Sequence, residues 1–239
     1  MSMLEIKDVR SGYGRVPVLH GISIRVEPGE LVGVLGANGA GKSTLLKTIS
    51  RVLPLMAGQI LFDGADVSKF APHKVTKMGL GYVPQEGSVF PDLNVADNLQ
   101  LGGYTVGRAW RDALKSIFGH FPILEERLGQ RVSLLSGGER QMLAIACALM
   151  VSPKLLMLDE PNSGLSPLVS AEVIETSVKI NKELGTSVLW VIEENPRDVL
   201  VHCDRVYFVE SGAIVREDTG KALLEDPNLE AMFLGHAGA

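Results

Sequence analysis

Cysteine is scarce: Cys147 and Cys203 are the only two among 239 residues. Two thiols in so long a chain exclude a disulfide framework, show no metal-ligand spacing and fit a reducing compartment. Long hydrophobic runs are missing too. The longest, residues 142–151, spans ten positions, against the roughly 20 that a membrane-crossing helix needs. Basic charge is not in excess, because 23 Lys and Arg stand against 28 Asp and Glu, for a net charge of −5. That balance leaves no footprint for a phosphate backbone, so nucleic acid is not an expected partner. The first eight residues alternate charged and apolar positions and lack the basic-then-apolar order of an export signal. Neither a fixed-period repeat nor a low-complexity tract interrupts the chain.

What is present is a foldable composition, 46% hydrophobic and 21% charged with a mean hydropathy of +0.18, far from the disordered range. Residues 4–9 and 18–26 alternate around Ser11-Gly12-Tyr13-Gly14, which predicts strand, turn and strand in an antiparallel opening. Runs at 31–35, 155–158 and 188–192 are apolar without alternation, as in parallel strands covered on both faces. Helices are expected after each, over 42–50, 168–184 and 196–202. Ser166-Pro167 and Asn195-Pro196 supply a capping side chain and a proline suited to the first helical position. From 94 to 151 the pattern is helical, opening on Asn94 and Asp97 at capping-box spacing and broken by glycines at 102, 103, 107 and 119. Strand then helix, repeated, reads as one α/β domain.

Gly36-Ala37-Asn38-Gly39-Ala40-Gly41-Lys42-Ser43-Thr44 matches G-x-x-x-x-G-K-[ST] in its required setting, after a buried strand and at the opening of a helix. Its glycines let backbone N–H groups converge on phosphate oxygens, and the helix N-terminus adds partial positive charge. Lys42 reaches the β- and γ-phosphates as a point charge, while the Ser43 hydroxyl suits Mg²⁺, which otherwise keeps water and phosphate as ligands. The expected ligand is a nucleoside triphosphate with magnesium. A second motif, Asp159-Glu160, ends a buried strand at the sheet edge where open α/β folds bind ligands. Asp159 is placed to hold the metal, and Glu160 to orient or deprotonate the attacking water.

The third motif is Leu135-Ser136-Gly137-Gly138-Glu139-Arg140-Gln141, followed by Met142, Leu143, Ile145, Ala146 and Leu149 at helical spacing. Ser136, Gly137 and Gly138 thus open a second helix N-terminus suited to an anion. With all three motifs in this order, the sequence resembles the ATP-binding cassette (ABC) ATPases, whose signature is L-S-G-G-[EQ], and the resemblance covers essentially the whole chain. It implies an α/β P-loop NTPase core, RecA-like, of mostly parallel sheet flanked by helices over residues 31–86 and 152–239. It adds an N-terminal antiparallel β subdomain over about residues 1–30 and a small helical insertion over about residues 87–151 that carries the signature. It also implies two ATPs held head to tail between two cassettes, each phosphate loop facing the other subunit's signature serine, so that a second ABC subunit, alike or different, completes the site. Carried over residue by residue, Tyr13 becomes the aromatic that stacks on adenine. Gln85, in Tyr82-Val83-Pro84-Gln85, becomes the loop glutamine at Mg²⁺ and the attacking water. Val89-Phe90-Pro91-Asp92-Leu93 occupies the segment where integral membrane permease subunits dock. The loop 162–167 crosses to the partner, with Ser166 where the commonest form has aspartate.

A sharper departure is Glu194, which stands where many ABC ATPases place a histidine that donates to the γ-phosphate. A carboxylate has no proton to give, and repulsion from a phosphate charge is roughly 4 kcal/mol at about 4 Å and an effective dielectric constant of about 20. Weak hydrolysis at this chain's own phosphate loop is therefore expected, with much of the turnover at the partner's. The missing histidine, Gly164-Leu165-Ser166-Pro167 and the 82–93 segment resemble the LivF-type ATPases of branched-chain amino acid importers, which usually carry glutamine at position 194. That resemblance implies ATP-driven import at the cytoplasmic face of the inner membrane, served indirectly by a periplasmic binding protein. Other amino acids, amides or urea stay open as the solute. A soluble ATPase of iron–sulfur cluster assembly is the competing class. The short stretch between Gln85 and Ser136 excludes the coiled coil of repair ATPases, and Glu160 argues against a cassette that only binds.

Overall fold

The computed structural model describes residues 1–105, 107, 110–193, 196–227 and 229. The chain opens with a hairpin of β1 (Leu4–Tyr13) and β2 (Val16–Val26), then runs through the buried strand β3 (Leu31–Leu35) into helix α1 (Lys42–Ile49). Strands β4 (Leu55–Phe62) and β5 (Ala65–Asp66) return to the hairpin, giving a four-stranded sheet in the order β2-β1-β4-β5, antiparallel throughout. The antiparallel layer therefore extends beyond the expected residues 1–30. Pairs Leu4↔Phe62 and Ile6↔Ile60 bury Phe62 and Ile60 beneath it, and cross-strand burial outweighs the weak strand pattern of a segment with a central glycine. Ser11, Gly12 and Tyr13 lie within β1, so the turn is confined to residues 14–15 instead of spanning 11–14.

Helix α2 (Pro72–Lys77) leads to β6 (Leu80–Val83). Residues 95–149 contain α3 (Val95–Gly102), α4 (Trp110–His120), α5 (Pro122–Glu126) and α6 (Gly137–Leu149). Strand β7 (Leu155–Asp159), α7 (Pro167–Leu184), β8 (Ser187–Val191), α8 (Pro196–Leu200), β9 (Arg205–Glu210), β10 (Ala213–Asp218) and α9 (Gly220–Leu224) follow. The second sheet runs β10-β9-β3-β8-β7-β6, parallel at every pair except β9–β10.

This sheet explains why the sequence of its central strands does not alternate. Leu156, Leu158, Val188 and Trp190 face a core shared with α3 to α8, whereas Leu155, Met157, Leu189 and Val191 face a core shared with α1 and the antiparallel sheet. Both faces are buried, so both parities must be apolar. Helix starts follow their caps unevenly. Asn94 accepts a hydrogen bond from the Asp97 N–H as expected. Ser166 sits at the N-cap of α7 with Pro167 after it, but its side chain makes no capping bond. Asn195 lies outside the described residues.

Candidate active site

The carboxyl ends of β3, β7 and β8 converge on the loop that joins β3 to α1. Gly36 stands at φ 153°, and a Cβ there would lie 2.2 Å from the Val209 carbonyl oxygen, so the loop passes β9 too closely for any side chain. Lys42 folds back over the loop, its Nζ donating to the carbonyls of Gly36 at 2.8 Å and Ala37 at 3.3 Å. Helix α1 carries Ser43 and Thr44 in its first turn and is pinned beneath them by the buried Leu45, Leu46 and Ile49.

Asp159 closes β7, 1% exposed. Its Oδ1 accepts from the Ser43 hydroxyl at 3.0 Å and its Oδ2 from the Tyr82 hydroxyl at 3.2 Å. Burial raises the Asp159 pKa, and these two bonds act against that rise. Glu160 follows at φ 52°, a left-handed conformation that a non-glycine residue holds only when its surroundings enforce it. Gln85 Nε2 donates to Glu160 Oε2 at 2.7 Å, and Lys42 Nζ lies 3.8 Å from Oε1. Burial first, then a hydrogen bond to Glu193 and its charge, pushes the Glu160 pKa up to about 8. Glu193, bonded to Glu160 and to Asn38, is lowered instead. The two carboxyl groups thus titrate as a pair beside the phosphate loop, the proton favouring Glu160.

Above these groups opens a cleft of about 470 Å³ lined by Tyr13, Val18, Asn38, Gly39, Gly41, Lys42, Ser43, Thr44, Gln85, Glu160 and Glu193. Tyr13 presents a half-exposed ring at its rim. The cleft thereby brings together the expected loop residues other than Gly36 with Tyr13, Gln85 and Glu160. The Ser43 hydroxyl and the Asp159 carboxylate beneath it are hard oxygen donors suited to Mg²⁺. Among the described residues no group of three or more His, Cys, Asp or Glu forms a metal cage, as fits a cation that keeps water and phosphate in its shell. Tyr82 and Glu193 join the site although no motif spacing marks them. Tyr82 is placed by the pairing of β6 with β7, and Glu193 by the end of β8.

Ser136, Gly137 and Gly138 do not line this cleft. They open α6 elsewhere, with Ser136 Oγ accepting from the Glu139 N–H at 3.2 Å and Glu139 Oε2 accepting from the Ser136 N–H at 2.8 Å. Arg127 Nε, at the C-cap of α5, lies 2.8 Å from Glu139 Oε1 and braces this capping box. A Cβ on Gly138 would sit 2.1 Å from Val169 Cγ1, so α6 meets α7 through that glycine. In the 89–93 segment Val89 tucks against the core while Phe90 is 58% exposed. The buried Asn98 grips the Phe90 backbone from both sides, accepting from its N–H at 2.8 Å and donating to its carbonyl at 3.1 Å. Glu194 lies outside the described residues. No helix among them is long and apolar enough to cross a membrane.

Fold and cleft together define a P-loop nucleotide-binding cassette. The family model described as ABC transporter matches residues 19–163. The chain is 38% identical over 234 residues, 98% of its length and 100% of the other's, to the high-affinity branched-chain amino acid transport ATP-binding protein BraG of Pseudomonas aeruginosa. It is 34% identical over 98% of both chains to the lipopolysaccharide export system ATP-binding protein LptB of Escherichia coli K12. Its fold matches the ADP conformation of MJ1267, an ATP-binding cassette of an ABC transporter, with TM-score 0.86 and 24% identity over 99% of this chain and 100% of that one. The chain belongs to the ABC transporter family, whose cassettes are ATPases.

Proposed function

We propose that this chain is the ATP-binding and hydrolysing subunit of an importer for branched-chain or other hydrophobic amino acids. The observation that carries the ATPase part is the convergence of Lys42, Ser43, Glu160 and Gln85 on one cleft, with Asp159 bonded to Ser43 beneath it. Adenine stacks on Tyr13. The phosphates rest on Gly36, Asn38, Gly39 and Gly41, with Lys42 drawn off its loop carbonyls to the β- and γ-oxygens and Thr44 beside them. When bound at Ser43, Asp159 and Gln85, magnesium neutralises phosphate charge and fixes the γ-phosphoryl group for in-line attack. Glu160, steadied by Gln85, orients the attacking water and accepts its proton, for which a pKa near neutrality is well suited.

Two cassettes then close over two nucleotides, Ser136, Gly137 and Gly138 of each meeting the other's ATP. Closure and reopening drive integral permease subunits at the cytoplasmic face of the membrane, and a periplasmic binding protein delivers the solute. Support for import comes from the BraG relative, similar along the whole chain. The LptB relative, equally complete, favours a second reading in which the same engine serves lipid export. Purification of the tagged chain from native membranes separates them. We expect a second cassette, two permeases and ATPase activity stimulated by a leucine-loaded binding protein. Recovery with a lipid-extracting partner, without such stimulation, selects export.

A further inference from the structure

Two parallel chains of contacts cross the floor of the cleft. In one, Gln85 reaches Glu160 and Glu160 reaches Lys42; in the other, Tyr82 reaches Asp159 and Asp159 reaches Ser43. Each begins on or just beyond β6, passes through a carboxylate at the end of β7 and ends on the first turn of α1. The family resemblance gives Gln85 a role and says nothing of Tyr82.

We propose that Tyr82 is a positioning residue for the metal, its hydroxyl holding Asp159 Oδ2 so that Oδ1 stays aimed at Ser43 and the cation beside it. This rests on the nucleotide-site reading above. The sheet register supports it: Tyr82 pairs with Met157, and Asp159, two residues further along β7, points to the same face. A diagonal neighbour at that offset is within reach of an aromatic side chain. The same face carries the core beneath α1, which includes Met157, Leu45 and Leu46 and against which Tyr82 packs. The ring is therefore fixed by packing before its hydroxyl is used. Asp159 is almost wholly buried and receives one donor on each oxygen, so its carboxylate plane cannot swing. Phenylalanine would fill the same space, leave Oδ2 without that donor and free the carboxylate to turn. Outer-shell hydrogen bonds to a metal-binding carboxylate typically change metal affinity by about 10- to 100-fold when removed.

The test is Tyr82→Phe in the full chain, with a thermal melt to confirm folding. Mn²⁺ is titrated into ATP-saturated protein and followed by electron paramagnetic resonance, and fluorescent ATP binding is measured in EDTA. We expect protein-bound Mn²⁺ to weaken by about 10-fold, with nucleotide affinity in EDTA unchanged within about twofold. In steady state the apparent magnesium constant should rise while turnover at saturating magnesium holds. Superimposable Mn²⁺ titrations would overturn the proposal. So would an equal loss of nucleotide affinity in EDTA, which would mark Tyr82 as a packing residue only. Wild-type protein that binds neither nucleotide nor Mn²⁺ would overturn the nucleotide-site reading itself, a result visible before any variant is made.

Discussion

The phosphate loop and the signature turn are both helix N-termini, yet they are built on opposite plans. Around the loop, Lys42, Asp159 and Glu160 are nearly sealed from solvent, and their contacts tie residue 42 to residue 160 and residue 43 to residue 159 across the fold. The signature turn exposes Ser136 and Gly137, and Ser136 is bonded within its own helix to Glu139. At the first, burial works against the charges of Asp159 and Glu160, and Lys42 is the cation beside them that favours their ionised forms. At the second, the helix terminus is already satisfied, and its contribution depends on what a partner presents. On the proposed reading the first is a grip and the second a contact surface.

The strongest break of this contrast is a pair of variants in the isolated chain. Lys42→Ala should weaken nucleotide binding by about 100-fold, the scale of losing one partner of a desolvated charge pair. Ser136→Ala should leave binding by the isolated chain within about twofold. Isothermal titration with ATP and magnesium reads both, and equal losses would erase the distinction. In the assembled complex the serine variant should lower turnover.

Glu160→Gln sharpens the grip side. Hydrolysis should fall by about 10² to 10⁴, the range for removing a general base, while ATP binding survives. The same variant has a pH signature. The folded-state pKa of Glu160 is raised from 4.5 to about 8, so the folded chain binds the proton more tightly than the unfolded chain. Stability from this group is full below pH 4.5 and falls as pH rises towards about 8. Glutamine offers Glu193 a donor with no proton to lose. Its melting temperature should match wild type near pH 4.5 and exceed it increasingly up to about pH 8, by about 2 kcal/mol in stability. Melting scans across that interval check the sign, and a constant offset would refute it.

Much of this was legible in the sequence because motif spacing is a local property. The loop at 36–44, the capped turn at 135–141 and the strand end at 159–160 fall where their spacing places them, since a turn, a cap and a strand end are each set by neighbours in the chain. What was not legible depends on register. Tyr82 meets Asp159 because β6 lies beside β7, and Glu193 meets Glu160 because β8 lies beside β7. Strand β4 escaped because half of it faces solvent and its pairing with β1 is interrupted near Gly58, at positive φ. The hairpin of β9 and β10 hides its inner strand in a buried run and its outer one in mixed polarity. Ser166 shows the converse, a correct cap position whose side chain makes no capping bond.

The mildest test concerns the contact side. Arg127 is 36% exposed and Glu139 19%, so their 2.8 Å pair is screened and should contribute about 0.5 kcal/mol, with the capping box adding about 1 kcal/mol. Arg127→Ala should therefore cost about 0.5 kcal/mol in urea unfolding, and Glu139→Gln about as much, because glutamine loses the charge pair but still accepts from the Ser136 N–H. The lowered pKa of Glu139 comes first from that backbone bond, which predicts that Glu139→Ala costs more than either. If Arg127 acts only through the Glu139 charge, its removal from the Glu139→Gln background should cost almost nothing. None of these variants should change ATP affinity in the isolated chain, because no residue of the turn lines the cleft. A shift in that affinity would mean that the signature turn reaches its own phosphate loop, and the contrast between grip and surface would fail.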